Sequence, residues 1–185
     1  LASQYDQLFL DWNATTREQA VILDRIFCRN GFDRTARILD CACGIGTQSI
    51  GLAALGYHMT ASDISNAELA EAEKRAEENN VSLRFAYADF CALSDTFRET
   101  FDIIICMDNA LPHMRSHDAL AAAIASITGR MKKDGIFVAS IRDYDALLMD
   151  KPPYSPPYIH KTADGQRVSF QVWTWEDDRY KLIQY

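Results

Sequence analysis

Short apolar runs alternate along this chain with longer segments in which apolar residues recur every three or four positions. The short runs are typical of buried strands, and the longer segments are typical of amphipathic helices. This pattern predicts a strand that begins at Arg37 and four more strands at 57–61, 81–87, 101–107 and 136–141. Strands that alternate with helices form a mostly parallel sheet covered on both faces. The predicted fold class is therefore α/β, with a Rossmann-like doubly wound sheet.

Polar capping patterns mark the starts of the predicted helices. Thr15 is followed three residues later by Glu18, which is the spacing of a capping box, and the apolar periodicity after it predicts a helix over about 16–30. The same reasoning places helix starts at Ser65 and Ser116, with helix ends at about Asn79 and within 132–135. We expect the lysines of 132–135 to stabilise the helix C-terminus that they follow.

The last part of the chain has a different pattern. Four prolines lie within 151–158, which excludes a helix interior or a central strand and predicts a loop. Two further segments, 167–175 and 179–185, predict an antiparallel hairpin. We expect a single domain over 1–185: an N-terminal lid and helix at 1–35, a core at 36–142, and a substrate loop with C-terminal strands at 143–185. The apolar strand at Tyr185 predicts either a chain that continues further or an edge that pairs with a partner, such as a second copy.

Composition narrows the class of partner. The net charge of −7 provides no basic stripe for a phosphate backbone, so we expect no nucleic-acid partner. No apolar run reaches the roughly 18 residues that a membrane span needs, and we expect no membrane partner. Five cysteines without a CxxC pair indicate a reducing compartment and a cytoplasmic protein.

Polar residues follow each predicted strand at its carboxyl end. They are Asp40, Asp63, Asp89, the pair Asp108 and Asn109, and Arg142. Ligands of parallel α/β sheets bind outside this edge. Gly44 and Gly46 predict a tight turn into a helix, where free backbone N–H groups can meet a ligand. Asp63 follows Gly44 at close to the ~20-residue spacing of an acid that binds ribose hydroxyls. A nucleoside cofactor is therefore predicted.

A dinucleotide cofactor is the first alternative. Ser49 stands where the dinucleotide fingerprint has its third glycine. The chain also offers no second domain for the substrate of a hydride donor. Both observations count against a nicotinamide enzyme.

The chain resembles the class I S-adenosylmethionine-dependent methyltransferases. The resemblance covers about 16–142 and lies in Leu39-Asp40-Cys41-Ala42-Cys43-Gly44-Ile45-Gly46, Ser62-Asp63, Ala88-Asp89-Phe90 and Phe101-Asp102-Ile103-Ile104-Ile105-Cys106. Within that superfamily, 106–114 and 141–145 are similar to the glycine and glycine/sarcosine N-methyltransferases. The resemblance implies the class I methyltransferase fold, S-adenosyl-L-methionine as cofactor and S-adenosyl-L-homocysteine as product.

The resemblance also implies roles for individual cofactor-site residues. Ala42 and Gly44 would lie beside the methionine moiety, Asp63 would bind the ribose and Asp89 the adenine amino group, with Phe90 and Met107 flanking the cofactor. Arg17 would pair with the cofactor carboxylate. The remaining predicted cofactor contacts are Tyr5, Asp40, Gly46 and Ile64.

On the acceptor side, the resemblance assigns Asn109 and Arg142 to the carboxylate of a small amino acid. An arginine can bind a carboxylate through two parallel hydrogen bonds, although pairing with a neighbouring acid is the structural alternative for Arg142. Tyr144, Tyr158 and His160 are predicted to line the same cavity, and His113 is a weaker candidate proton acceptor. His113 and His117 have no third ligand at a suitable spacing, so no metal is predicted.

The predicted function is methyl transfer to a small molecule, the amine of a glycine-like or sarcosine-like amino acid. One alternative is the same fold acting on another amine, hydroxyl or thiol. Another is a non-catalytic module that binds S-adenosylmethionine. A nucleic-acid methyltransferase is disfavoured by the net acidity and by the sequence after Asp108, which lacks a Pro-Pro-aromatic motif.

Overall fold

The computed structural model describes residues 11–162, 165–177 and 179–185. The chain divides into a first compact unit that ends at Ile141 and a second over Arg142–Tyr185. The strands of the first unit are β1 (Arg37–Asp40), β2 (His58–Asp63), β3 (Arg84–Tyr87), β4 (Phe101–Cys106) and β5 (Met131–Ala139). They form a parallel sheet in the order β3-β2-β1-β4-β5, which confirms the predicted α/β core.

Helices cover both faces of this sheet, because its central strands are apolar on both sides. The helices of the first unit are α1 (Trp12–Arg29), α2 (Thr47–Ala54), α3 (Asn66–Glu78), α4 (Leu93–Thr96) and α5 (His117–Thr128). Along β4, Ile103 and Ile105 pack in a cluster with residues of α1 and α2, whereas Ile104 packs in a second cluster with residues of α4 and α5. The alternation of side chains along a strand therefore supplies two cores from one strand.

The start of α1 differs from the prediction. The helix begins at Trp12, and its N-cap is Asp11, whose carboxylate accepts a hydrogen bond from the Ala14 N–H. Thr15 lies within the first turn of the helix and is not its N-cap. The first turn is anchored instead by the buried Trp12 side chain, whose Nε1 donates to Thr47 Oγ1 at 3.0 Å. By contrast, the predicted cap of α3 is confirmed, since Ser65 Oγ accepts from the Glu68 N–H.

The end of α5 was also predicted wrongly. The cap at Ser116 is confirmed, but the helix ends at Thr128, and β5 already begins at Met131. Lys132 thus lies in a strand, where its Nζ binds both carboxylate oxygens of Asp102 at 2.9 Å. β5 lies at the edge of the five-stranded sheet, and an edge strand tolerates such charged residues because one side of it faces solvent.

The second unit contains α6 (Tyr144–Asp150) and the strands β6 (Tyr158–Thr162), β7 (Gly165–Ser169), β8 (Gln171–Glu176) and β9 (Arg179–Gln184). The predicted C-terminal hairpin is confirmed as β8 and β9. The predicted strand at 167–175 is divided at Phe170, whose backbone pairs with Tyr185, and β7 pairs with β6 instead. The first part of the proline-rich segment lies along β8, where Trp175 Nε1 donates to the Pro152 carbonyl at 2.8 Å.

None of the helices within the described ranges is long and apolar enough to cross a membrane.

Candidate functional site

The turn between β1 and α2 has the backbone conformation that its glycines predict. Gly44 and Gly46 have φ values of +51° and +86°, and the Gly46 N–H donates to the Cys43 carbonyl at 2.8 Å. A Cβ at Gly46 would lie 2.9 Å from the Ile50 Cδ1 atom, whereas a Cβ at Gly44 would meet, among the described residues, only Glu68 Oε2 at 4.0 Å. The turn is therefore closely packed on the helix side at Gly46 and open at Gly44.

Asp63 joins this turn to the end of β2. Its Oδ2 accepts from the Gly44 N–H at 2.9 Å, and its Oδ1 accepts from the Ser65 N–H at 2.9 Å. Each carboxylate oxygen has capacity for a further donor. Next to it, the apolar Ile64 side chain is 58% exposed. The predicted spacing thus brings Asp63 and Gly44 into direct contact.

Asp40 is fully buried at the end of β1. Its Oδ2 accepts from Ser49 Oγ at 2.7 Å, and its Oδ1 accepts from the Ala42 N–H at 3.4 Å. Burial raises the pKa of Asp40 to about 7, and the negative charges of Asp108 and Asp63 act in the same direction. Asp40 therefore holds the turn through its contacts with Ser49 and Ala42, and its role toward a cofactor stays a prediction.

The predicted adenine-side residues follow β3 and β4. Asp89 is exposed, and its Oδ1 accepts from the Cys91 N–H at 2.8 Å at the start of a 3₁₀ turn, Phe90–Ala92. Phe90 is half-buried, as is Met107 directly after β4. Met107 packs against the first of the two core clusters and Phe90 against the second.

The loop after β4 has an unusual backbone. Asp108 and Asn109 both lie in the left-handed region, with φ values of +52° and +68°. The Asp108 N–H donates to Ser140 Oγ at 2.8 Å, and the Asn109 N–H donates to the Ser140 carbonyl at 3.2 Å. Gln48 Nε2 donates to Asp108 Oδ2 at 2.9 Å. Asn109 is therefore held at the carboxyl end of β4.

Two other predicted site residues, Arg17 and His113, are exposed. Arg17 is exposed on α1, and His113 is exposed in a 3₁₀ turn, Leu111–His113. Tyr5 lies outside the described residues. Within the described ranges, no three His, Cys, Asp or Glu side chains are grouped so that they could hold a metal ion.

Arg142 belongs to the second unit and lies against an aromatic cluster there. Its guanidinium carbon is 5.4 Å from the centre of the Trp173 ring, and Trp173 stacks on Tyr180 at 5.1 Å with an angle of 16° between the ring planes. Burial and a hydrogen bond with Tyr144 raise the pKa of Tyr180, whereas Arg142 lowers it. Tyr158 is 54% exposed at the start of β6. The predicted pair of Arg142 and Tyr144 thus shares a cluster.

Sequence reasoning missed the residues that support these groups. They are Gln48, Ser49 and Ser140 in the first unit, and Trp173 and Tyr180 in the second. The run 47–49 did carry a signal, since three polar residues open a helix that is otherwise apolar. Glu68 Oε2 is buried without a hydrogen-bond partner among the described residues, and burial raises the pKa of this carboxyl. The contacts of Gln48 and Ser140 with Asp108 join residues that are far apart in the chain, and a sequence pattern does not show them.

A solved structure shares this architecture. The structure of CalS10 with bound S-adenosylmethionine, an amino pentose methyltransferase from Micromonospora echinaspora, matches with a TM-score of 0.74 and 16% identity. The match covers 92% of this chain and 74% of that chain. It shows that this chain and that methyltransferase share one fold.

The family follows from the sequence. Residues 38–135, more than half of the chain, match the family model described as a methyltransferase domain, and the chain belongs to this family. Glycine/sarcosine N-methyltransferase from Aphanothece halophytica is 28% identical over 145 residues, which cover 78% of this chain and 53% of that protein. The enzyme of the same name from Parasynechococcus marenigrum (strain WH8102) is 30% identical over 145 residues, with 78% and 50% covered. The chain spans about half the length of the curated relatives it matches.

Proposed function

We propose that this chain binds S-adenosyl-L-methionine at the carboxyl ends of β1 and β2 and transfers its methyl group to the amine of a small amino acid, such as glycine or sarcosine. The observation that carries the proposal is the contact between the Asp63 carboxylate and the Gly44 N–H, at 2.9 Å. This contact places an acid that can accept further hydrogen bonds next to a glycine turn at one edge of the sheet. Nucleoside binding uses this arrangement.

The residues of this edge fit the cofactor. Asp63 can accept the two ribose hydroxyls in addition to its backbone donors. The backbone at Gly44 can be approached closely, because even a Cβ there would meet no atom of the described residues nearer than 4.0 Å. The side chain of Ile64 offers an exposed apolar surface to a base. Covering this surface with the base would remove apolar area from water, which is favourable.

The remaining contacts follow from the predicted roles. Ala42 would lie beside the methionine moiety, Asp89 would accept a hydrogen bond from the adenine amino group, and Phe90 and Met107 would flank the cofactor. Arg17 would pair with the cofactor carboxylate. When bound, the cofactor supplies a methyl group already activated by its sulfonium sulfur.

The protein's own contribution is mainly positional. A neutral amine needs no strong base to attack an activated methyl group, but it must be held in line with the bond that breaks. Asn109 would bind the acceptor carboxylate and so aim the amine. Arg142, in the second unit, is a separate candidate for binding a carboxylate, and its guanidinium lies over the Trp173 ring at 5.4 Å from the ring centre.

A methylation assay tests the proposal. The purified protein is incubated with S-adenosylmethionine carrying a deuterated methyl group, and labelled products are sought by mass spectrometry. Glycine and sarcosine are the proposed acceptors, and ethanolamine is the matched control because it has the amine without the carboxylate. Labelled products from the amino acids, with S-adenosylhomocysteine formed in equal amount, are expected.

Two results would change the assignment. Equal labelling of ethanolamine would contradict a carboxylate-binding site and favour another class of acceptor. Binding of S-adenosylmethionine without labelling of any acceptor would favour a non-catalytic binding module.

A further inference from the structure

The conformation of Asp108 and Asn109 needs a structural cause. Two consecutive residues with side chains lie in the left-handed region, which such residues populate sparsely even though Asp and Asn tolerate it best. Backbone in a sparsely populated region persists only where the surrounding structure holds it. The contacts of this loop therefore show what holds Asn109 in place.

Ser140 holds the backbone of the loop. Its hydroxyl accepts from the Asp108 N–H at 2.8 Å, and its carbonyl accepts from the Asn109 N–H at 3.2 Å. Its own N–H donates to the Cys106 carbonyl at 3.3 Å, so that the pairing of β4 with β5 continues into the loop. One residue just after β5 thus satisfies two successive N–H groups.

Gln48 holds the side chain of Asp108 in this loop. Its side chain is 2% exposed, and Nε2 donates to Asp108 Oδ2 at 2.9 Å and to Gln19 Oε1 at 2.6 Å. An ionised carboxylate can only accept, so the contact with Asp108 requires the NH₂ end of the Gln48 amide. Gln48 therefore connects α1, α2 and the loop after β4.

We propose that Gln48 and Ser140 are positioning residues that hold Asn109 in the conformation in which it meets the acceptor. The role of Asn109 toward an acceptor rests on the proposed function, whereas the clamp on the loop does not. Asn109 also adjoins Asp108 directly in sequence, so a change in the Gln48 contact reaches it through a single peptide unit.

Exchanging the hydrogen-bond donor and acceptor between positions 48 and 108 provides a specific test. In Gln48→Glu, two carboxylates face each other across the 2.9 Å contact, and the clamp is broken. In the double variant Gln48→Glu/Asp108→Asn, the amide at position 108 can donate to the new carboxylate, and the hydrogen bond is restored with donor and acceptor exchanged. Asp108→Asn alone is the matched control, because its amide oxygen still accepts from Gln48.

Ser140→Ala removes the other half of the clamp without adding charge. Its methyl group leaves the Asp108 N–H unpaired, while the backbone contact of Asn109 remains. This variant keeps the proposal testable if Gln48→Glu does not fold, and circular dichroism melting establishes folding for all four proteins.

The first readout is amide hydrogen exchange at Asp108 and Asn109, measured by NMR, which requires no knowledge of the acceptor. We expect exchange about tenfold faster in Gln48→Glu, near the wild-type rate in the double variant and in Asp108→Asn, and faster at Asp108 in Ser140→Ala. Exchange within twofold of wild type in both Gln48→Glu and Ser140→Ala would overturn the clamp.

The second readout is the kinetics of glycine and sarcosine methylation. Gln48→Glu should raise the acceptor KM about tenfold, with recovery in the double variant, while the Kd for S-adenosylhomocysteine stays within about twofold. Faster exchange with an unchanged acceptor KM would overturn the positioning role. A wild-type protein that methylates neither acceptor would instead contradict the proposed function, and the exchange rates would still decide the clamp.

Discussion

Replacing Asp40 by Asn should stabilise this protein at neutral and alkaline pH. Asp40 is fully buried, and burial raises its pKa from 3.8 to about 7. A carboxyl whose pKa is higher in the folded state binds its proton more tightly when folded. The stability that protonated Asp40 contributes is therefore complete below about pH 4. It falls as the pH rises above that value and is lost once the pH has passed about 7.

The magnitude follows from the shift. Each pKa unit corresponds to 1.36 kcal/mol, so a rise from 3.8 to about 7 corresponds to ~4 kcal/mol between the two limits. In Asp40→Asn no charge is buried, while the amide oxygen can still accept from Ser49 Oγ or the Ala42 N–H. The variant's advantage over wild type should grow by ~4 kcal/mol between pH 4 and pH 8, and most of this growth should occur below pH 7.

The assay is urea unfolding at pH 4, 5, 6, 7 and 8, followed by circular dichroism, for wild type and Asp40→Asn. The matched control is Asp134→Asn, which changes an exposed carboxyl on β5. The argument that burial opposes the ionisation of Asp40 would be refuted by either of two results. One is a difference in unfolding free energy between Asp40→Asn and wild type that stays constant across this pH range, and the other is a difference that matches that of Asp134→Asn.

Two further predictions concern the turn and the second unit. Gly46→Ala should cost about 1–3 kcal/mol, because it places a Cβ at φ +86° and 2.9 Å from Ile50 Cδ1; urea unfolding measures the loss, and an unchanged midpoint would contradict it. Arg142→Lys should raise the acceptor KM about tenfold without changing the Kd for S-adenosylhomocysteine, because lysine cannot form the arginine's two-pronged contact. Steady-state kinetics and calorimetry test this, and an unchanged KM would remove Arg142 from the acceptor site.

The parallel core could be predicted from the sequence because its signals are local. The apolar run of β4 and the cap at Ser65 each depend on neighbouring residues, and both predictions are confirmed. Asp63 was also placed at the carboxyl end of its strand, and there its carboxylate accepts from the Gly44 N–H. Strand ends in a parallel sheet share one edge, so positions along the chain translate directly into positions in space.

The errors arose where local signals competed or were absent. Asp11 and Thr15 are both suitable N-caps, and the burial of Trp12 against Thr47 decides in favour of Asp11. The short helix α6, capped by Asp143, lies in a region for which only a loop was predicted. Charged residues at 132–134 concealed the start of β5, because an edge strand need not be apolar.

The support of the candidate site could not be predicted for a different reason. Gln48 reaches Asp108 across 60 positions, and Ser140 reaches it across 32. No periodicity or short motif encodes contacts of this range. The predicted ligand-facing residues therefore came from strand ends, whereas the residues that hold them required the structure.

Calorimetric titration tests the central claim most directly. Wild-type protein is titrated with S-adenosylmethionine, S-adenosylhomocysteine and NAD, and the titrations are repeated with Asp63→Ala and with the exposed control Asp134→Ala. We expect the first two ligands to bind, with at least tenfold weaker affinity in Asp63→Ala and unchanged affinity in the control. Binding of NAD alone, or equal affinities in wild type and a folded Asp63→Ala variant, would contradict a methyl-donor site at this edge of the sheet.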